Sequence, residues 1–372
     1  MDAGRSRIKV VGIYDSEQTE VIVLDSLVCE TDYTPNGEIG SFTLGKANPN
    51  APKGKKASEL TPEEKENKKD IVSHWVVGTN ARYQSKPFVS MTEGDEHKIK
   101  YFPVLALGAI ASLPDLYELS TGVNEKNRSL TVRLTTLSLA NPYTLKQSLQ
   151  DCKWLKIDGI KYRINFGTAS DFAGFPEGYG GALYFKALKN EAKVFLVFDI
   201  GFGTATITEY SNLGKLPKRG MCNPNGGGGI AGLIREFAEV VAQVDSSKSI
   251  KPSQLKEILE GSQYENEKVI AIAPDGRDIG KQLELAIGHW IKDSPVTFAL
   301  EKLAIMGRRS PVVCCGGGFA IPPVRQMVVQ ELKRVGVPEE NLIVPDSPGL
   351  VALSEMKRLY NVGGDKDEQQ AA

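Results

Sequence analysis

The sequence is short of the residues that most often announce a site on their own. Its three histidines, His74, His97 and His289, are scattered along 372 residues and give no support to a metal cluster or a lone catalytic histidine. Its five cysteines, Cys29, Cys152, Cys222, Cys314 and Cys315, form no C-x-x-C pair, and their odd number and wide spacing argue against a disulfide framework or a structural zinc site. A reducing cytoplasm is the expected location. No apolar run approaches the roughly 20 residues of a membrane span, and the start, Met1 to Arg5, lacks the apolar stretch of a signal peptide. Excess charge is missing too: the formal net charge is -1, so no global field draws the chain to nucleic acid and direct DNA binding is not expected. What is present, 41% hydrophobic and 24% charged residues, is the mix of an ordinary globular protein at a length that calls for two domains.

Residues 8–13 (IKVVGI) and 21–24 (VIVL) read as two paired strands. Residues 47–70 are so rich in Lys, Glu, Pro and Asn that a mobile surface insertion is expected, because little apolar surface offsets the entropy of ordering them. Residues 105–113 suit a buried helix, and residues 129–139 (SLTVRLTTLSL) alternate as one strand should. Asp158-Gly159, between alternating runs that span 153–166, is a strong hairpin signal. The nearly continuous apolar run 193–199 (KVFLVFD) belongs in the middle of a sheet covered on both faces. Ile230, Leu233, Ile234, Phe237, Val240, Val241 and Val244 recur at three- and four-residue steps, the stripe of a core-facing helix. Further helices are expected at 279–292, 295–306, 323–335 and 348–360, with a strand at 311–315.

Two segments carry chemistry. Asp199-Ile200-Gly201-Phe202-Gly203-Thr204 places an acid at the end of a buried strand, followed by glycines and a hydroxyl. Glycines let backbone approach a phosphate closely, hydroxyls donate to its oxygens, and a strand-end carboxylate suits magnesium held through its water shell. A dinucleotide turn also uses close glycines, but Thr206 stands in place of the third, and residues 205–210 (ATITEY) read as a second strand. A strand-turn-strand phosphate clamp is the expectation. The other segment runs from an apolar strand into Gly316-Gly317-Gly318-Phe319 and a helix started by Pro322-Pro323. Three residues without Cβ give a flat backbone surface for a base or ribose, beside helix N-terminal amides. A decoy, residues 40–47 (GSFTLGKA), misses the P-loop pattern at the hydroxyl that binds magnesium, and NPNAP follows where a helix N-terminus is required.

Taken in order, the N-terminal hairpin, the acid-glycine hairpin and the late glycine turn resemble the superfamily of actins, heat-shock chaperones and sugar kinases. Residues 175–182 (FPEGYGGA) look like a connection found in bacterial actin-like ATPases of the plasmid-partition, ParM-like kind, and residues 75–81 (WVVGTNA) resemble an actin segment that follows the small subdomain. The resemblance implies an α/β, bilobed actin-like fold, two ribonuclease-H-like domains around a nucleotide cleft. Domain I would span 1–180, with a small inserted subdomain at about 27–90 holding the loop 47–70, and would be closed by a helix at 346–362. Domain II would span 181–345, and 363–372 would be a disordered tail.

The same resemblance implies ATP or GTP with Mg2+ as cofactors. Asp199 would organise the metal, Gly201, Phe202, Gly203 and Thr204 would hold phosphates, and Gly316, Gly317, Gly318 and Phe319 would meet adenosine. Glu177 would orient the attacking water. The first phosphate loop would contribute Asp15, Ser16 and Thr19, within Tyr14-Asp15-Ser16-Glu17-Gln18-Thr19, which has no glycine. Implied partners are further copies of the chain in a filament and an adaptor protein that links it to DNA or another cargo. ATP hydrolysis would serve plasmid segregation or a cell-shape cytoskeleton. Two alternatives stay open: a small-molecule, sugar-type kinase, and a non-hydrolysing nucleotide-bound scaffold, which the negative charge of Glu17 in the first loop would suit.

Overall fold

Two sheets organise residues 1–177, the first of two units into which the chain divides; the second is 178–372. The structure is a computed structural model that describes residues 1–14, 17–18, 21–52, 54, 57–137, 142–166, 172–244 and 250–362. Asp15, Ser16 and Thr19 of the expected first phosphate loop lie outside the described residues, as does the segment 363–372.

In one sheet of the first unit the strands run in the order Phe172–Phe175, Leu134–Leu137, Asp2–Ala3, Arg7–Val10 and Ile22–Asp25. The expected N-terminal pairing is present, with Ile8 opposite Leu24 in an antiparallel ladder. The other sheet has the order Thr121–Asn124, Asn127–Thr131, Ile160–Asn165, Cys152–Ile157, Ser41–Lys46, Ile71–Val77, Leu27–Thr31 and Val89–Ser90. Asp158 and Gly159 join two of these strands with φ of 47° and 84°, the pair of positive angles that a two-residue hairpin turn of the primed type demands. The helix Asp95–Ala111 starts ten residues earlier than the apolar run suggests and buries Phe102, Val104, Leu105, Leu107, Ala109 and Ile110 in the core of this unit.

Two expectations are corrected here. Residues 129–139 are not one strand: Asn127–Thr131 pairs with Ile160–Asn165, whereas Leu134–Leu137 belongs to the other sheet, beside Asp2–Ala3 and Phe172–Phe175. The insertion 47–70 is less featureless than its composition implies, because it contains the helix Pro62–Asn67. Thr61 accepts from the Glu64 amide at 3.2 Å while Glu64 accepts from the Thr61 amide at 2.9 Å, a capping box that satisfies two backbone donors at once. The P-loop decoy is a strand, Ser41–Lys46, and its second glycine has a packing reason. A Cβ on Gly45 would sit 2.0 Å from Cε2 of Trp154, whose indole crosses the strand there and donates to Asp70 Oδ2 at 2.8 Å.

That contact makes a test. Valine is ordinarily welcome in a strand, but Gly45→Val is expected to displace Trp154 and lower stability by about 3 kcal/mol, the scale of overpacking a well-filled site. Urea unfolding followed by tryptophan fluorescence measures it, and an unchanged midpoint would show the indole to be movable at little cost.

The second unit is built on the run foreseen as a central strand. Val194–Ile200 lies between Thr204–Ser211, antiparallel to it, and Val312–Cys315, parallel to it; Lys218–Gly226 and Leu342–Ile343 flank these. Phe195 to Phe198 are buried, as a strand covered on both faces requires. The helix Ile230–Val244 buries Ile230, Leu233, Ile234, Phe237, Val240 and Val241, the expected stripe without its last member. Gly280–Asp293, Val296–Met306 and Pro322–Arg334 complete the helical layer and share one core with the sheet. The last helix, Val351–Val362, packs on Tyr179–Ala187, and Gly180 marks the closest approach, where a Cβ would lie 2.2 Å from Cα of Ala352. Helix Pro252–Glu260 and the hairpin Gln263–Glu265 with Lys268–Ile270 were not foreseen. Among the described residues no helix is long and apolar enough to cross a membrane.

Candidate functional site

The chain leaves Val194–Ile200 on one side of the sheet through Thr204–Ser211 and Lys218–Gly226 and comes back on the other side at Val312–Cys315. Open α/β sheets commonly receive ligands beyond the carboxyl ends of parallel strands, where the strand order reverses in this way. Both glycine segments singled out in the sequence sit at that edge. Asp199 is in register with Cys315 of the parallel neighbour, and Cys315 is followed at once by Gly316.

The closeness of the two segments is measurable. Gly316 has φ of 96°, and a Cβ there would lie 2.2 Å from Oδ1 of Asp199 and 2.6 Å from the carbonyl oxygen of Ile200. Gly316 is therefore glycine for two reasons, its left-handed backbone and the carboxylate pressed against its Cα. Gly318 donates its amide to the carbonyl of Ile200 at 2.8 Å, which ties the two turns together, and Gly316 donates to the carbonyl of Pro348 at 3.1 Å. Gly317 differs: it is exposed, and a Cβ would meet nothing within 4 Å. Phe319 is fully buried and meets Phe198 edge-on, with ring centroids 5.5 Å apart. It anchors the glycine turn from beneath.

The hairpin turn after Asp199 has its own support. Gly201 donates to the Thr204 carbonyl at 2.9 Å, closing the turn between the two antiparallel strands. The carbonyls of Gly201 and Phe202 accept from the amides of Ile230 at 3.1 Å and Ala231 at 2.8 Å, two of the first-turn donors that a helix cannot satisfy internally. In a trans peptide the C=O and the N–H point opposite ways, so the amides of Phe202 and Gly203 are turned away from that helix, the orientation an anion needs. This docking depends on residues the sequence reading passed over. Gly226 to Gly229 precede the helix, and a Cβ on Gly229 would lie 2.5 Å from both the Phe202 carbonyl oxygen and the Thr204 nitrogen. Four successive glycines before an apolar helix were a visible signal.

The residues fit a magnesium nucleotide, on the evidence of the backbone surface left open at Gly317 and the carboxylate beside it. Among the described residues no group of three or more His, Cys, Asp and Glu is placed to hold a metal ion. Magnesium commonly takes one or two carboxylates and completes its shell with phosphate oxygens and water.

Glu177 lies in the first unit, two residues beyond the strand Phe172–Phe175. The helix Tyr179–Ala187 is preceded by Gly178, at φ of 82°, with no side-chain cap and no acid in its first turn. Glu177 is thus not a helix-capping acid. Its carboxylate instead meets Lys98, on the helix Asp95–Ala111, with Nζ to Oε1 at 2.7 Å. Burial differs across the pair, since the lysine side chain is 12% exposed and that of the glutamate 32%. Lys98 is another residue the sequence did not reveal.

No family model and no curated protein matches the chain in sequence. Solved structures do match over nearly its whole length. A ParM from Clostridium botulinum, determined as a 15-stranded filament, superposes with a TM-score of 0.61 at 16% identity, covering 97% of this chain and 97% of that one. Ta0583, an archaeal actin homologue, gives 0.58 at 13% identity, covering 96% of this chain and 97% of that chain. Bacillus thuringiensis ParM with ATP gives 0.53 at 13% identity, over 97% of this chain and 98% of that one. The chain has the mixed α/β fold of the bacterial and archaeal actin homologues.

Proposed function

We propose that this protein is an actin-like ATPase that binds ATP with magnesium and assembles with copies of itself into nucleotide-dependent filaments. The observation that carries the reading is the Asp199 carboxylate pressed against the Gly316 backbone at the carboxyl edge of two parallel strands. Asp199 would hold magnesium through its waters, Gly201 to Thr204 the phosphates, and Gly316 to Gly318 the adenosine. Magnesium, bound with the nucleotide, supplies neutralisation of charge on the phosphate oxygens. Glu177 orients the attacking water; little covalent chemistry is left for the protein, and catalysis is positioning with charge stabilisation. A likeness to a ParM determined with ATP and to another determined as a filament supports the nucleotide and the self-assembly. A head-to-tail contact between copies does not close on itself and so extends as a filament. We place the filament in the cytoplasm, moving plasmid DNA through an adaptor protein or serving as a cell-shape scaffold.

Sedimentation with ATP or GTP, with and without magnesium, followed by electron microscopy and phosphate-release assays, tests the reading. Filaments that form with nucleotide and phosphate released without any acceptor are expected. ADP formed only when a sugar is added, with the phosphoryl group on the sugar and none freed, would make the protein a kinase, and filaments with neither ADP nor phosphate formed would make it a scaffold.

The glycine turn allows a cleaner probe. Because Gly317 is exposed and a Cβ there meets nothing within 4 Å, Gly317→Val is expected to leave stability within about 1 kcal/mol of wild type, as surface changes do. Nucleotide affinity should fall about tenfold or more as the valine intrudes where the base or ribose rests. An unchanged dissociation constant, read by fluorescent-nucleotide titration, would reduce these glycines to a turn.

A further inference from the structure

Helix Asp95–Ala111 is held along most of its length by the core of the first unit, through Phe102, Leu105 and Ile110 among others. One turn before Phe102 it carries Lys98, whose side chain is 12% exposed. A lysine so withdrawn from water is costly unless a carboxylate compensates it. The compensating group is Glu177, 79 residues away in sequence, at 2.7 Å. Glutamate has three side-chain torsions and, left alone in solvent, samples many positions. Held at Oε1 by an ammonium carried on a packed helix, this carboxylate has fewer positions open to its second oxygen, and its 32% exposure leaves an edge to which water has access.

We infer that Lys98 is a positioning residue for hydrolysis: it fixes the Glu177 carboxylate so that the other oxygen aligns the attacking water. The inference rests on the proposed role of Glu177 and adds to it a residue that touches neither nucleotide nor water. The alignment matters because a displacement of about 1 Å in a reacting group costs about a hundredfold in rate.

The test is a cycle of variants, Lys98→Met, Glu177→Ala and the two combined, with Lys98→Arg as the conservative change. Lys98→Met is expected to lower kcat about ten- to a hundredfold with KM and nucleotide affinity within twofold, Lys98→Arg to restore most of the loss, and Lys98→Met to add nothing further once Glu177 is alanine. In the nucleotide-free protein, urea midpoints of the two single variants and the double should be non-additive, which reports the contact without any turnover. Wild-type kcat in Lys98→Met, alongside an inactive Glu177→Ala, would overturn the positioning role and leave the water-orienting role of Glu177 standing. Losses that multiply in the double variant would also overturn it, since Lys98 would then act independently. Wild-type turnover in Glu177→Ala would remove both readings together. Should Lys98→Met fail to fold, Lys98→Gln enters the same cycle with the same outcomes.

Discussion

Asp199→Ala is expected to lower magnesium-dependent phosphate release by about three decades or more, the scale on which removal of a charge-organising group acts in phosphoryl and acyl transfer. The structure makes this a selective lesion. Asp199 is held in the sheet by its backbone, opposite Thr206 on one side and Cys315 on the other, so the ladder survives loss of the carboxylate. Asp199 is only half-buried, and its Oδ1 lies against a glycine, so truncation does not leave a sealed cavity. The stability change should stay near 1 kcal/mol, the centre of the range for single substitutions. Phosphate release with and without a chelator, together with a thermal melt, measures both. Wild-type turnover in a folded Asp199→Ala protein would remove the metal assignment, and a large drop in melting temperature would show the carboxylate to be structural.

The second large effect is expected at Glu177. If its carboxylate orients water for attack on the γ-phosphate, Glu177→Ala should slow hydrolysis by about two to four decades while nucleotide binding and assembly persist, because orienting water matters in the transition state and hardly in the ground state. Filaments should then outlast those of the wild type. A merely structural glutamate predicts something much smaller. Loss of the ion pair with Lys98, whose side chain is 12% exposed, would lower stability by leaving the ammonium uncompensated, an effect read in the unfolding midpoint and not in about two to four decades of turnover. Glu177→Gln separates the two further, since the amide oxygen can still accept from Lys98 while the negative charge is gone. Hydrolysis within a few-fold of wild type in both variants, with filaments disassembling on schedule, would leave Glu177 as a partner for Lys98 and nothing more.

What the sequence showed and what it hid follow from the range of each interaction. Asp158-Gly159 was readable because a primed turn imposes its φ values on two adjacent residues, and the phosphate hairpin was readable because acid, glycines and hydroxyl are contiguous. Residues 129–139 misled because strand alternation has the same period whichever sheet a strand joins; at Val132, which donates to Asn165 as the last link to one sheet, nothing in the pattern marks the move to another. The short helix Pro62–Asn67 was hidden by reading composition over a long window, when the Thr61 and Glu64 pair that caps it is a local signal. Phe319 follows three glycines in the sequence, and only the fold shows that its ring is buried edge-on against Phe198. Lys98 had no local signature, since its partner is reached only through the fold.

The pairing of Asp2–Ala3 with Leu134–Leu137, which itself pairs with Phe172–Phe175, has a consequence for the birth of the protein. A ribosome delivers Asp2–Ala3 and the hairpin of Arg7–Val10 and Ile22–Asp25 early, but Leu134–Leu137 and Phe172–Phe175, which extend the sheet beyond Asp2–Ala3, emerge on the order of ten seconds later at ordinary translation rates. During that interval the nascent sheet presents an open edge with unpaired amides and carbonyls, the feature most prone to join another chain. Synthesis on polysomes places many such edges side by side, so the vulnerable species of this protein is the half-made chain, and the arrival of Phe172–Phe175 is the moment at which its first unit can close.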